Sequence, residues 1–509
     1  MQRPNPSAQS GQQGSIAGVA PDPRMQGGGP VEEISADLCI IGAGSGGLSL
    51  AASSAQIGLK VVLIEKHKMG GDCLNYGCVP SKALIAAARR AHLMRTSGPF
   101  GVVPVEPQVD TRAVHDHVKS VIAAIAPNDS VERFTGLGVR VIEAAGRFVD
   151  RNTVAAGDKL IRAARFCIAT GSGPAVPPIP GLENVAYFTN ETIFDNVRPI
   201  GHLIVIGGGP IGLELAQAHL RLGAQVTVLE GMKALGKDDP ELSDVVLKKL
   251  RAEGLAIREG AKVERVEGRS GAVRVTIGTA EGTAQIDGTH ILVAAGRRPN
   301  LADLNLEAAA IKYDRRGIQV SKSLITSNSK VFAIGDVTGG LQFTHVANYH
   351  AGIVFRRLLL KGLSGLTGGA TVREDHIPWV TFTDPELANV GLSEDQAKSK
   401  YGTVNVYRWP YHENDRAQAE REVEGFVKVV TTKKDQIVGA AIVGAHAGEL
   451  IQMWSLAISQ GMKITAMTQW ISPYPTLTEI NKRAALGYYA QKAGSPMVRR
   501  AVSILRKFG

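Results

Sequence analysis

Residues 36–47 read ADLCIIGAGSGG and residues 202–212 read HLIVIGGGPIG. Each is a short apolar run that empties into spaced glycines: Gly42, Gly44 and Gly47 in the first, Gly207, Gly209 and Gly212 in the second. After each turn the composition becomes helical. This is the strand, glycine turn, helix order of a dinucleotide-binding unit. The first glycine makes the tight turn, the second lets the backbone approach a pyrophosphate, and the third lets the helix pack closely. The following strands end in Glu65 and Glu230, each 18 residues beyond the last glycine, where a carboxylate can accept hydrogen bonds from a ribose diol. One fingerprint alone is weak evidence. Two complete ones in a chain imply two dinucleotides.

Residues 70–82 read GGDCLNYGCVPSK, with Cys73 and Cys78 five positions apart in a chain of four cysteines. A regular helix at about 1.5 Å rise per residue would hold such positions roughly 8 Å apart, whereas a disulfide needs Cα atoms within about 7 Å. The spacing therefore asks for an irregular turn and a reducible bond. Metal ligation is not expected, because there is no second cysteine pair and no spaced histidine pair. Cys39 and Cys167 lie in apolar strand runs and read as buried thiols. Asp72 is expected to cap the distorted helix start.

A chain of 509 residues holds about three domains. It contains no apolar run of membrane-spanning length. The first 34 residues, rich in Gly, Pro, Gln and Ser, read as a disordered tail and not as a secretory signal. A cytoplasmic address is expected, where a paired cysteine motif is catalytic more often than structural. The net charge of +10 is uneven: after Glu479 there is no acid, while Lys482, Arg483, Lys492, Arg499, Arg500, Arg506 and Lys507 follow. Met497, Ala501, Ile504 and Phe508 fall on one helical stripe beside the arginines. The favoured reading is a terminal helix on a neighbouring subunit, with weak contact to an anionic membrane surface as the alternative. Nucleic acid is not expected, since no binding module accompanies the basic segment.

The run from Gly70 to Lys82 resembles the redox segment of the class I pyridine nucleotide-disulfide oxidoreductases, in the branch of dihydrolipoyl dehydrogenase and mercuric reductase. The resemblance covers residues 35–490. It implies an α/β fold of two Rossmann-like dinucleotide-binding domains plus a C-terminal α+β dimerisation domain. The implied order is a tail (1–34), the first part of the FAD domain (35–180), an NAD domain (181–314), the second part of the FAD domain (315–373), a dimerisation domain (374–490) and a basic amphipathic tail (491–509). Cys73 would exchange with substrate, Cys78 would contact flavin, and Lys82 would stand by the reactive flavin nitrogen. Glu214 matches the partner of that lysine, so a Lys82 to Glu214 ion pair is expected. Gly71, Gly146, Thr170, Gly171, Gly296, Gly335, Asp336 and Ala347 match cofactor-binding positions, with Asp336 toward the flavin ribityl or pyrophosphate region. A helix starting near Phe343 would point its amino end at the flavin. The second nucleotide is expected to be NADH over NADPH: Glu230 would repel a 2′-phosphate, and no arginine follows before residue 240.

One position departs from the pattern. In that family a histidine of the dimerisation domain reaches the partner subunit's site and takes protons from a dithiol, oriented by a glutamate five residues later. Glu479 is in place, but Tyr474 stands at the histidine position. Imidazole titrates near 6.5 and phenol near 10, a gap of about 3.5 units or roughly 5 kcal/mol. Tyrosine is thus a poor base for a dithiol. Mercuric reductases also have tyrosine there, but they use a C-terminal cysteine pair, and this chain has no cysteine after Cys167. The expected function is a homodimeric FAD enzyme passing electrons from NADH through Cys73 and Cys78 to a disulfide, dithiol or other acceptor, in the manner of dihydrolipoyl dehydrogenase. The alternatives are a metal-ion reductase like mercuric reductase, and a redox sensor or membrane-surface electron donor without turnover.

Overall fold

The computed structural model describes residues 31–269, 271–359, 370–493 and 496–507. Most of the expected N-terminal tail and the terminal Phe508 lie outside these residues. The first strand, Glu32–Ile41, opens ahead of residue 35. The chain divides into two units: residues 1–90, 94–201 and 263–372 form the first, and residues 91–93, 202–262 and 373–509 the second.

In the first unit, Glu32–Ile41 lies parallel to Val61–Glu65 on one side and to Lys159–Ile168 on the other. Arg140–Glu143 extends the sheet beyond Val61–Glu65, Val331–Ala333 pairs with Lys159–Ile168, and Thr153–Ala156 and Gly146–Asp150 continue it antiparallel. The central strands are buried on both faces, which is why residues 38–41 and 61–64 read as unbroken apolar runs. Leu38, Ile40 and Leu63 pack toward the helix Ser45–Gln56 side, and Cys39, Ile41, Val62 and Ile64 pack on the opposite face. Cys39 on that face and Cys167 on the helix side are both fully buried, and burial pushes both thiols up.

In the second unit, His202–Ile206, Gln225–Leu229 and Ala256–Arg258 form a parallel set, with the helix Pro210–Arg221 after the first strand. The rest of this unit is an antiparallel sheet in the order Pro378–Thr381, Glu386–Gly391, Ile437–Gly444, Phe426–Thr432, Val404–Pro410. It encloses a core around Trp454 and Tyr411, to which the helix Glu479–Ala493 contributes Ile480, Ala484 and Ala485.

The two glycine turns have one geometry. Gly42 and Gly207 take the left-handed backbone, at φ +109° and +116°. A Cβ on Gly47 would stand 1.9 Å from the Gly42 carbonyl oxygen, and one on Gly212 would stand 2.0 Å from that of Gly207. The third glycine therefore lets the helix close on the turn itself. At the middle glycines, Gly44 and Gly209, an added Cβ would meet nothing within 4 Å. That space lies over a helix amino end. Gly47→Ala should force the first turn open and cost about 1–3 kcal/mol as overpacking does, read as a lowered unfolding midpoint of the apoprotein. Gly44→Ala should leave that midpoint unchanged and weaken dinucleotide retention about tenfold or more, because its methyl fills the open space.

Candidate active site

The redox segment begins at two left-handed glycines, Gly70 and Gly71, at φ +83° and +59°. Gly70 N–H donates to the Ala43 carbonyl, and a Cβ on Gly71 would lie 2.7 Å from Gly44 Cα. The segment is thus pressed against the first glycine turn. A short helix, Gly71–Asn75, stops at Tyr76, and a long one, Cys78–Arg95, starts two residues later. The break is held by side chains. Asn75 Nδ2 donates to the Met69 and Gly71 carbonyls, and Asn190 Nδ2 donates to the Tyr76 carbonyl.

Cys73 is half-buried, Cys78 is exposed, and both are free thiols within hydrogen-bonding reach of each other. The pair shares one proton unequally. The Cys73 hydrogen bond, then that of Thr344, then the Lys82 charge pull Cys78 down to about 6, while its bond to Cys78 and burial push Cys73 up. The Lys82 charge ranks behind both hydrogen bonds. Cys78 Sγ lies 3.3 Å from Thr344 Oγ1, at the first residue of the helix Thr344–Leu359. Lys82 Nζ lies 3.4 Å from Ser81 Oγ.

Asp72 does not cap its helix. Gly70 holds the cap position and no side chain bonds there. The Asp72 carboxylate instead pairs with Arg297 at 3.1 Å and accepts from Asn190 at 3.2 Å. Arg297 also donates to the Ser172 hydroxyl and carbonyl, and Ser172 Oγ donates to Asp336 Oδ2 at 2.5 Å. One guanidinium so ties the redox turn to the Asp336 turn. Partial burial raises Asp72 and Arg297 opposes the rise. On the far side of Asp336, buried His350 accepts the Gly335 N–H through Nδ1, and burial holds its imidazole down at about 4. It is a neutral acceptor at physiological pH. Ala347 fits between Gly46 and Gly335, within 3.2 Å of where a Cβ on either would stand. Thr170 and Asn300 exchange side-chain to backbone bonds at 2.9 Å, which joins the Gly171 turn to the segment after Gly296. Gly146 starts its strand where an added Cβ would press on Ile41 and Ile64.

The nucleotide carboxylates behave alike. Glu65 accepts from Ala43 N at 2.7 Å and His67 N at 2.8 Å; Glu230 accepts from Gly208 N at 2.8 Å and Met232 N at 2.9 Å. Each staples its glycine turn and keeps further lone pairs for ribose hydroxyls. The open faces at Gly44 and Gly209, helix amino ends without acids in their first turns, and a carboxylate beside each fit two dinucleotides. Asp336 Oδ1, without a protein donor among the described residues, adds an acceptor on the first-unit side.

In the second unit, buried Glu214 accepts from Phe382 N at 2.9 Å. Tyr474 is 70% exposed. Its hydroxyl donates to Asp415 Oδ2 at 2.8 Å, and that bond and the Asp415 charge raise the phenol above its ordinary range. Glu479 opens the helix Glu479–Ala493.

Residues 36–351 match the model of the pyridine nucleotide-disulphide oxidoreductases, and residues 377–485 match the dimerisation domain of the same proteins. The chain belongs to this family. It is 35% identical to a mercuric reductase of Lysinibacillus sphaericus over 464 residues, 90% of this chain and 83% of that protein. It is equally 35% identical to a dihydrolipoyl dehydrogenase of Staphylococcus aureus over 469 residues, 89% of this chain and 97% of that one. The HOCl-induced flavoprotein disulfide reductase RclA of Escherichia coli superposes with a TM-score of 0.77 at 27% identity, covering 88% of this chain and 99% of RclA. The chain is an FAD-dependent NAD(P)H oxidoreductase of the disulfide class.

Sequence reasoning missed Thr344, Arg297, Asn190 and His350 as parts of the site. Thr344→Val should remove a donor to the Cys78 thiolate and raise its pKa by about 0.5–1 unit. The check is the pH profile of Cys78 alkylation in the reduced protein, with a midpoint near 6 in the wild type. A thiol depressed in the fold stabilises the reduced protein above the ordinary cysteine range near 8.5, and that contribution is lost as pH falls through about 6.

Proposed function

We propose that the enzyme works in the reducing direction, from NADH to a soft, thiophilic metal ion as electron acceptor. The observation that supports this most is the Tyr474 hydroxyl, which donates to Asp415 and is raised above its ordinary range. A phenol so held donates hydrogen bonds and does not collect protons, so oxidation of a dithiol lacks its base. A metal ion needs none, because it displaces the Cys73 proton on binding sulfur.

FAD, when bound, supplies the two-electron relay between nicotinamide and disulfide. Gly42, Gly44, Gly47, Glu65 and Asp336 would hold it, and Gly207, Gly209, Gly212 and Glu230 would hold the nicotinamide nucleotide. Two electrons and one proton open the Cys73 to Cys78 bond to a thiol at Cys73 and a thiolate at Cys78. Thr344 and Lys82 stabilise the thiolate. The overall balance is NADH plus a divalent ion giving NAD⁺, a proton and the zero-valent metal. NADH over NADPH follows from Glu230, a Lys82 to Glu214 pair would fix the lysine, and a homodimer would bring Tyr474 and Glu479 to the partner's cysteines. A cytoplasmic setting suits a reducible pair. A disulfide or dithiol substrate is the second reading, favoured by Glu479 at its family position and by the likeness to dihydrolipoyl dehydrogenase.

Anaerobic NADH oxidation with Hg(II), Cu(II), lipoamide, glutathione disulfide and quinones separates these readings. The expected kcat/KM is at least about tenfold higher for a soft metal ion than for lipoamide, and Tyr474→His should raise dihydrolipoamide oxidation about tenfold or more. Rapid dihydrolipoamide oxidation by the wild type, with no gain in Tyr474→His, would favour the dithiol reading. Slow turnover with every acceptor would favour a sensor.

A further inference from the structure

The dimerisation-domain match ends at residue 485, yet the chain continues into a second terminal helix, Pro496–Leu505. Every side chain described on this helix is exposed. That includes the large apolar ones: Val502 at 44%, Ile504 at 51% and Leu505 at 68%. At 3.6 residues per turn, Val498, Ala501, Val502, Ile504 and Leu505 cover one arc of about 160°. Arg499, Arg500 and Ser503 occupy the opposite side. Arg506 and Lys507 extend that side, their N–H groups bonded back to the Val502 and Ile504 carbonyls. The polar face thus holds cations and one serine, and no acid occurs anywhere after Glu479.

A ten-residue helix is marginal in water unless its apolar face is covered. At about 15 Å it is also too short to span a bilayer. Its partner has to offer an apolar layer below and negative charge alongside the same face. We propose that the helix Pro496–Leu505 is an interfacial anchor that lies in the plane of an anionic lipid surface, its apolar arc inserted and its arginines at the phosphate level. Charge complementarity argues for lipid over a second copy of the chain, which would bring the same row of cations against this one. The position beyond the dimerisation-domain match argues the same way. Apolar insertion and polybasic attraction are the two signals that together make such binding stable where either alone is weak. The inference does not depend on the identity of the electron acceptor, because its test reads binding and not turnover.

The test is co-sedimentation of the flavin-loaded, full-length enzyme with vesicles of phosphatidylcholine, with or without about 30 mol % phosphatidylglycerol. Binding should be at least about tenfold tighter to the anionic vesicles and should weaken in high salt. It should fall about tenfold or more in Arg499→Ser/Arg500→Ser and in Val502→Glu/Leu505→Glu, with NADH oxidation by a soluble dye unchanged in both. Absence of wild-type binding to either vesicle, or equal binding by the variants, would overturn the proposal. So would a chain stopped after Ala493 that loses subunit association while the full-length protein ignores lipid, which would assign the face to a second copy.

Discussion

Two sulfurs five residues apart meet only if the helix that carries them is broken, and the first unit is organised around that break. Gly70 and Gly71 turn the chain through left-handed conformations that other residues rarely adopt, and Gly71 settles against Gly44. Asn75 and Asn190 bond the Met69, Gly71 and Tyr76 carbonyls on either side of the break. Arg297 then fixes the turn through Asp72, the neighbour of Cys73, and reaches Asp336 through Ser172. Because the backbone is held this way, the two thiols bond to each other and their proton resides on one of them. Cys78 is thereby drawn down to about 6 and is the thiolate at neutral pH. Thr344, delivered by a helix 266 residues later in the chain, completes its support.

The repeated glycine turn shows a second economy of design. Glu65 and Glu230 sit at equivalent strand ends, and each carboxylate accepts one N–H from its glycine turn and one from two residues further along its own strand exit. The acid that is available to a ribose is also the group that shapes the loop facing the pyrophosphate. Binding and folding are therefore coupled at the same side chain. Replacing either glutamate would disturb both.

The parts of this architecture that depend on local sequence were open to reading. The strand bounds 202–206 and 225–229 and the helix start at 240 follow from apolar runs, glycines and a proline close together in sequence. The irregular turn between Cys73 and Cys78 follows from helix geometry alone. Asp72 was open to misreading because an acid at the start of a helix ordinarily serves the amino end. Gly70 in the left-handed region takes the cap position here, and the carboxylate bonds to a residue 225 positions away. Thr344 and Asn190 act in the same way across separations of 266 and 118 residues, His350 reaches back 15 residues to Gly335, and nothing near them in sequence marks a partner. Tyr474 was visible as a departure. Its bond to Asp415, which decides how the phenol behaves, was not.

The central claim is that electrons from NADH come to rest on Cys73 and Cys78. Anaerobic addition of one equivalent of NADH to the oxidised, flavin-loaded enzyme, followed by alkylation and peptide mapping, tests it directly. The account predicts two newly labelled thiols, at Cys73 and Cys78, with Cys39 and Cys167 protected by burial. Consumption of NADH with no new label at either cysteine would contradict it.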